Sequence, residues 1–504
     1  MKTKTIQICG TGSDVGKSII VAGLCRIFLQ DGFRVAPFKA QNMALNSFVT
    51  TEGGEIGRAQ ATQAASCRLE PSVHMNPVLI KPTSDTAAQI IVRGKPVANM
   101  SALGYTVYKA KIQQKVRESF GKLKKAFEVI VIEGAGSPAE INLRRHDIAN
   151  MKMARLAHAP VVLAGDIDKG GVFAQFVGTL ELLTANERKR IKGFIINKFR
   201  GDETLLKPGI DFLEKKTKIP VLGVIPYFKD IKIPEEDSVV LERGTKTVAK
   251  HRKIKKAIHV AVIKLPYLSN FTDFDPLVNE PDVNLQYIGQ DGSLNGFDLV
   301  IIPGSKNTVC DLLWMRAAGL TDKILSILKY QPATVVVGIC GGYQILGEKI
   351  IDTGQTESMQ KEIKGLGLLP IITSFKREKI LSRVKATEIS SGKEVLGYEI
   401  HHGRTEKLKR CKSCFKIIER NGNPVSELTG AITREGKVWG TYIHGIFDQD
   451  GFRRDFLNRL RQKKGWNLVS QGFNHNLDHE LDKLARLVRE NIKLARLYEI
   501  LNGK

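Results

Sequence analysis

The segment Thr334-Val-Val-Val-Gly-Ile-Cys-Gly-Gly-Tyr-Gln-Ile-Leu-Gly347 admits few folds. Its run of β-branched apolar residues reads as a buried strand, and Gly341-Gly342 then forces a sharp turn. Tyr343 to Leu346 opens a helix. Cys340 therefore falls at a strand-to-helix elbow, with its sulfur expected to be exposed and close to a helix N-terminus. The helix dipole and unpaired backbone N–H groups there favour the thiolate, which is the form that attacks carbonyl carbon. The arrangement parallels the serine elbow of hydrolases, with Cys as the nucleophile. A small apolar Cys buried at a tight turn is the structural alternative. A nucleophile at this position needs a base elsewhere in the chain.

Similar strand–turn units recur on both sides of the elbow. Thr5-Ile-Gln-Ile-Cys9 is a short strand, followed by Gly10-Thr-Gly-Ser-Asp-Val-Gly-Lys-Ser18 and an apolar helix. Strand, glycine-rich loop, Lys-Ser and helix is the setting in which backbone N–H groups cradle phosphates. The usual spacing puts glycine at position 11; here Thr11 stands there and Gly10 comes one residue early, so the loop is a variant. Gly10, Thr11, Gly12, Gly16, Lys17 and Ser18 are the expected nucleotide contacts, with Lys17 on the β/γ-phosphates and Ser18 on Mg²⁺. Strands then end at Glu133-Gly-Ala-Gly136, at Gly165-Asp-Ile-Asp-Lys-Gly-Gly171 and at Asn197-Lys198, and Val221–Ile225 closes the set. Glu133, at a carboxyl end, is the expected second Mg²⁺ ligand. Asp166 and Asp168 occupy comparable positions, and Asn197 is a nucleotide contact or a turn residue. The segment from Phe38 to Pro82 has little periodicity and is rich in amide and basic side chains, suited to amide or carboxylate groups of a substrate. The fold class is α/β, with two doubly wound parallel-sheet domains, because apolar strands alternate with helices in both halves.

With 504 residues the chain exceeds a single core. The expected boundaries are a P-loop domain at 1–241, a linker at 242–256, a second α/β domain at 257–455 and a C-terminal helical extension at 456–504. The linker reads as solvated because Glu242–Lys256 holds seven Lys or Arg and few apolar residues. In the second domain His259–Ile263 and Asp298–Ile302 precede the elbow, and Val438-Trp-Gly-Thr-Tyr-Ile-His-Gly-Ile-Phe447 follows it. His444 ends a strand before glycine, which makes it the expected general base for Cys340, with His401 and His402 ranked behind it. Leu481, Leu484, Leu487, Val488, Ile492, Ala495, Tyr498 and Leu501 have the spacing of one C-terminal helix.

Composition narrows the remaining choices. No apolar run reaches the roughly 18 residues that span a bilayer, and Met1-Lys-Thr-Lys-Thr leads directly into a strand without a signal peptide. Seven scattered Cys suit a reducing cytoplasm, and Cys411-Lys-Ser-Cys414 lacks the second pair of a zinc site. The net charge of +25 would suit nucleic acid or an acidic substrate, but the charge is spread along the chain and no nucleic-acid-binding signature accompanies it. A polycarboxylate substrate fits, and neither nucleic acid nor membrane is expected as a partner.

These motifs resemble a known family. Gly338-Ile-Cys-Gly-Gly-Tyr-Gln344 with Tyr442-Ile-His444-Gly445 is similar to class I glutamine amidotransferase domains of corrinoid synthesis. The variant P-loop with Ile132-Glu-Gly-Ala-Gly136 resembles the dethiobiotin-synthetase-like ATPase domain. The blocks Pro37–Asn46, Glu55–Gln60, Met75–Leu79, Gly165–Phe173 and Leu268-Ser-Asn-Phe-Thr-Asp273 resemble the cobyric acid synthases rather than their sisters, the cobyrinic acid a,c-diamide synthases. The resemblance implies ATP- and glutamine-dependent amidation of the b, d, e and g carboxylates of cobyrinic acid a,c-diamide. It implies Cys340 as the glutamine-attacking thiol, an oxyanion site near Gly341 and Gly304, and substrate contacts at Lys39, Gln41, Asn42 and Asn46. Many class I relatives carry Glu two residues after the His, where this chain has Ile446. That leaves open what orients His444, with Glu399 one option. A partitioning-type P-loop ATPase is the reading from a different class, and it has no use for a Cys340/His444 pair.

Overall fold

The computed structural model describes residues 3–83, 86–234, 256–358, 360–408, 411–474 and 476–504, arranged as two compact units. The first comprises Met1–Ala44, Glu55–Glu236 and Asn476–Lys504; the second comprises Leu45–Gly54 and Asp237–His475. The linker expected at 242–256 lies, up to residue 255, outside the described residues. The stretch expected as a C-terminal extension is divided: Asp450–Lys463 is a helix of the second unit, and the residues from Asn476 onward belong to the first.

Six parallel strands form the main sheet of the first unit, in the spatial order Val221–Pro226, Ile191–Phe199, Val161–Asp166, Lys4–Gly10, Val129–Glu133 and Val35–Phe38. Helices cover both faces, so the central strands are buried along their whole length and carry apolar residues at successive positions. Winding reverses beside Lys4–Gly10. The carboxyl ends of that strand and its two neighbours are therefore the edge where ligands bind in such sheets.

The helix Lys17–Gln30 starts directly from the glycine loop and packs Ile20, Val21, Leu24, Ile27 and Phe28 into the core. Against it lie Leu481, Leu484, Ala485 and Val488 of helix Leu477–Asn491. The single C-terminal helix expected from periodicity is two helices, Leu477–Asn491 and Leu494–Leu501. Ile492 between them is extended and bridges Gly223, and Lys493 N–H donates to the Leu222 carbonyl at 2.7 Å. A Cβ on Gly223 would lie 2.0 Å from the Asn491 carbonyl oxygen, so glycine there admits the break. Side-chain spacing could not reveal this, because the interruption is made by backbone pairing.

The aperiodic segment after Phe38 is built from pieces too short to show a period. They include Asn42–Met43, the helix Arg58–Ser66 and Val78–Pro82. A four-stranded sheet joins Asn42–Met43, Val78–Pro82, Ala87–Val92 and Lys95–Ser101.

In the second unit the parallel strands run in the order Val283–Ile288, Ile258–Ile263, Leu299–Ile302, Val335–Ile339 and Val438–Thr441, with Ala431–Ile432 antiparallel at the edge. A second, mostly antiparallel sheet is organised on the long hairpin Ile371–Glu388 and Glu394–Lys407. That hairpin adds to the doubly wound core and brings residues 398–403 to the end of the parallel sheet: Tyr398 bridges His444.

Leu484→Ala removes a fully buried side chain between two helices of the first unit. It should destabilise that unit by about 2–5 kcal/mol in denaturant unfolding; an unchanged transition would contradict this packing.

Candidate active site

In the first unit the loop after Lys4–Gly10 is shaped by its own backbone. Gly16 has φ 91° and a Cβ there would lie 2.1 Å from the Asn197 amide nitrogen, so only glycine fits. Asn197 donates from that nitrogen to the Val15 carbonyl at 2.8 Å. The amide expected to touch nucleotide thus braces the loop. Lys17 is buried and its Nζ donates to the Gly12 carbonyl at 2.8 Å, curling back over the loop. Thr11 donates to the Gln175 side chain at 2.9 Å.

Glu133 is the hub of this edge. Its Oε1 accepts from Ser18 Oγ and from Lys39 Nζ, both at 2.8 Å, and its Oε2 accepts from Gln63 Nε2 at 2.5 Å. Burial pushes the carboxyl pKa up, but Lys39 and the donated hydrogen bonds outweigh it, so the net shift is downward and Glu133 is a carboxylate. Lys39 is therefore buried against Glu133. Asn42 donates to Gln60 at 2.9 Å, while Gln41 accepts from Tyr105 at 2.7 Å. Asp166 pairs with Lys198 at 3.0 Å and Asp168 with Arg200 at 2.7 Å. Ser18 and Glu133 meet, and Lys39 and Asn42 lie in the surrounding polar network; Asp166 and Asp168 are engaged by their own basic partners.

In the second unit the elbow has the conformation its sequence demands. Cys340 has φ 51° and ψ −104°, a sparsely populated region for a residue with a Cβ, and helix Gly341–Leu346 follows. A Cβ on Gly342 would lie 1.9 Å from the Ile302 carbonyl oxygen, so the turn closes only with glycine. The sulfur, expected to be exposed, belongs to a residue only 5% accessible, and its thiol donates to the Ile400 carbonyl at 3.6 Å. The hairpin strand Glu394–Lys407 is what covers it.

His444 lies three residues past the end of its strand, held by paired backbone hydrogen bonds with Tyr398 at 2.9 and 3.2 Å. The Tyr398 ring stacks on the imidazole with centroids 5.4 Å apart. His444 Nδ1 is 2.7 Å from Asp273 Oδ2, and Gly445 N–H donates to Asp273 Oδ1 at 2.9 Å. A carboxylate only accepts, so Nδ1 carries a proton in either charge state of the ring, and Nε2 is the nitrogen left to exchange a proton with sulfur. Burial alone would lower the His444 pKa. The Asp273 carboxylate, together with Cys340 by charge and hydrogen bond, overrides it and raises the value to about 10.

Asp273 is the residue that sequence reasoning missed as a site member. It sits in the 3₁₀ turn Phe271–Phe274, 171 residues before His444, so no local spacing links the two. The signal was present in the Leu268–Asp273 block, but without an assigned role. Asn46, expected to contact substrate, accepts from Phe271 N–H at 3.0 Å through Oδ1 while its Nδ2 is buried without a partner among the described residues, and Asn270 accepts from Ser47 N–H at 3.1 Å, both bonds fixing this turn. Glu399 does not reach His444: it pairs with Arg420 at 2.5 Å. Ile446 is buried in the core. His402 Nδ1 faces the Lys376 carbonyl at 3.0 Å and His401 Nδ1 the Gly403 carbonyl at 2.8 Å. Gly304 packs on the imidazole, where a Cβ would come within 2.9 Å of His444 Cε1, and a Cβ on Gly341 would meet the Ser305 backbone nitrogen at 2.9 Å. Two loops thus converge beside Cys340.

A Cys–His–carboxylate array at an α/β elbow, in one chain with a P-loop unit, defines a glutamine amidotransferase fused to a nucleotide-binding domain. Residues 259–452 match the CobB/CobQ-like glutamine amidotransferase domain, and residues 6–240 match the CobQ/CobB/MinD/ParA nucleotide binding domain. Over 502 residues the chain is 50% identical to a cobyric acid synthase of Clostridium botulinum, covering 99% of each sequence. It is 47% identical over 511 residues to the enzyme of that name from Syntrophobacter fumaroxidans, again covering 99% of each. The corresponding protein of Dehalococcoides mccartyi is 48% identical over 507 residues, 99% of this chain and 98% of that one. The chain belongs to the cobyric acid synthase family.

Because its folded pKa is raised from 6.5 to about 10, His444 contributes stability that is fully present below about pH 6.5 and lost as pH rises through about 10. Asp273→Asn removes the largest raising influence. The variant should lose this contribution at lower pH than the parent and release glutamate from glutamine about 10²–10⁴-fold more slowly. A rate within a few-fold of the parent would show that Asp273 does not orient the base.

Proposed function

We propose that this chain amidates the b, d, e and g carboxylates of cobyrinic acid a,c-diamide, or of its adenosyl form, to give cobyric acid, using ATP and glutamine. Full-length similarity to cobyric acid synthases at 47–50% identity is the observation that carries this reading. The geometry of both units supports it.

In the second unit Cys340 attacks the glutamine carboxamide carbon. His444, an imidazolium below about pH 10, holds on Nε2 the proton drawn from Cys340 and passes it to the departing nitrogen, while Asp273 holds the ring and offsets its positive charge. Ammonia leaves, and a thioester to Cys340 remains until water, deprotonated by the same imidazole, releases glutamate. In this reading the oxyanion is held by backbone N–H groups about Gly341 and the Gly304–Ser305 loop, which lie against each other.

In the first unit Lys17 and the loop amides bind the ATP phosphates. Ser18 and Glu133 have the hydroxyl and carboxylate chemistry that Mg²⁺ takes beside phosphate, and their 2.8 Å contact brings both donors to one point. Mg²⁺ held there would supply charge neutralisation at the β/γ-phosphates. A substrate carboxylate oxygen attacks the γ-phosphorus and ADP leaves; ammonia then displaces phosphate from the acyl phosphate. A free carboxylate is too poor an electrophile for ammonia, which is why ATP is consumed. Lys39 and Asn42, near Glu133, are the substrate contacts we assign, and a reducing cytoplasm suits the seven free cysteines.

Mass spectrometry of products from cobyrinic acid a,c-diamide, ATP and glutamine tests the reading. Full amidation at b, d, e and g is expected; an unchanged corrinoid would refute it. Cys340→Ala should abolish glutamine-dependent product while ammonia still supports amidation, and Lys17→Ala should abolish both. Ammonia-supported amidation by the Lys17 variant would overturn the phosphate assignment.

A further inference from the structure

One group at the second unit's site has no part in this scheme. His401 follows Ile400, whose carbonyl accepts the Cys340 thiol. Its ring lies flat on Tyr442, with centroids 3.6 Å apart and planes 9° from parallel. Tyr442 is two residues before His444, and its hydroxyl is shared with Thr405 at 2.6 Å and Gln344 at 3.3 Å. Gly403, whose carbonyl faces His401 Nδ1, sits against the Gln344 amide and the Tyr442 hydroxyl. The ring is thus fixed in orientation by stacking and by a hydrogen bond.

That hydrogen bond settles the tautomer. The Gly403 carbonyl can only accept, so Nδ1 carries the proton and Nε2 presents a lone pair. His401 is 6% accessible, and its Nε2 is buried with no hydrogen-bond partner among the described residues. Burial lowers its pKa to about 3 despite the Gly403 contact, and the charges of Arg404, His444 and His402 act in the same direction as burial. At neutral pH this nitrogen accepts a hydrogen bond and cannot donate one. A buried acceptor left unpaired carries a free-energy cost that a ligand with an N–H can recover.

We propose that His401 selects glutamine by its carboxamide: Nε2 accepts a hydrogen bond from the carboxamide nitrogen of the glutamine whose carbonyl carbon faces Cys340. This rests on the glutaminase reading above and adds the residue that distinguishes the amide substrate from its acid product. A carboxylate offers no N–H to this lone pair, so glutamate is repelled where glutamine is held. His401 is a substrate-positioning residue and exchanges no proton during turnover.

The test uses calorimetric binding to the full chain carrying Cys340→Ala, which cannot turn glutamine over. Adding His401→Asn keeps a donor for Gly403 but deletes the Nε2 acceptor, and adding His401→Gln restores an amide oxygen near the Nε2 position. Glutamine affinity should fall about 10–100-fold in the Asn variant and recover in the Gln variant. Glutamate affinity should stay within a few-fold, and unfolding midpoints should match. Glutaramate, which has the carboxamide but lacks the α-amino group, should show the same fold-loss. Loss with glutamine but not glutaramate would assign Nε2 to the α-ammonium and overturn the proposal. Equal glutamine binding in all variants would overturn it while leaving the glutaminase reading intact, whereas no glutamine binding by the Cys340→Ala chain itself would bring down both.

Discussion

A carboxylate 2.7 Å from one imidazole nitrogen sets the terms for the second unit. Buried without Asp273, His444 would favour the neutral ring in either tautomer and could turn either nitrogen toward the thiol. With Asp273 in place, the tautomer, the ring plane and the stability of the imidazolium are fixed together. Gly445 N–H ties the same carboxylate to the chain segment bearing the histidine, so Asp273 is bonded to that segment at two points. Much of the surrounding structure serves this contact. Asn46 and Ser47 clamp the turn that carries Asp273, Tyr398 covers the ring by stacking, and Gly304 leaves room for its edge.

The elbow itself was readable because the turn it makes is sterically demanding. A strand entering Gly341-Gly342 can close only with glycine against Ile302, and that requirement appears directly in the residue types. The P-loop was readable for a similar reason at Gly16, even though Thr11 breaks the usual spacing. Burial of the elbow was not readable. It depends on residues 394–407, which pair with 371–388 in a long hairpin, and nothing near Cys340 reports that strand. The role of Asp273 was hidden by sequence distance, and the absence of Glu at position 446 pointed to Glu399, which the structure gives to Arg420. Asn197 and Asn46 were recognised as polar residues at meaningful places, but Asn197 Nδ2 and Asn46 Oδ1 bond backbone groups. An amide in a sequence does not say whether it binds a ligand or a loop.

The two units divide the chemistry by electrophile. Glutamine carries an amide that a thiol can open without ATP, and in the proposed scheme Cys340, His444 and Asp273 of the second unit do so. The corrin carboxylates need activation, and the first unit gathers Lys17, Ser18 and Glu133 at the carboxyl edge of its sheet. Lys39 compensates the Glu133 charge, so the acidic residue survives complete burial as an anion. Basic composition is consistent with a substrate bearing several carboxylates.

In the proposed scheme the second unit depends most on Asp273 holding buried His444 with Nδ1 protonated and its imidazolium stabilised. Nitrogen-15 NMR of histidine-labelled protein, with His444 assigned from a His444→Gln variant, reads this directly. The ring should keep its Nδ1 proton throughout and titrate near pH 10, falling to lower pH in Asp273→Asn. A His444 ring that titrates at or below the ordinary value of 6.5, and is unmoved by Asp273→Asn, would contradict it.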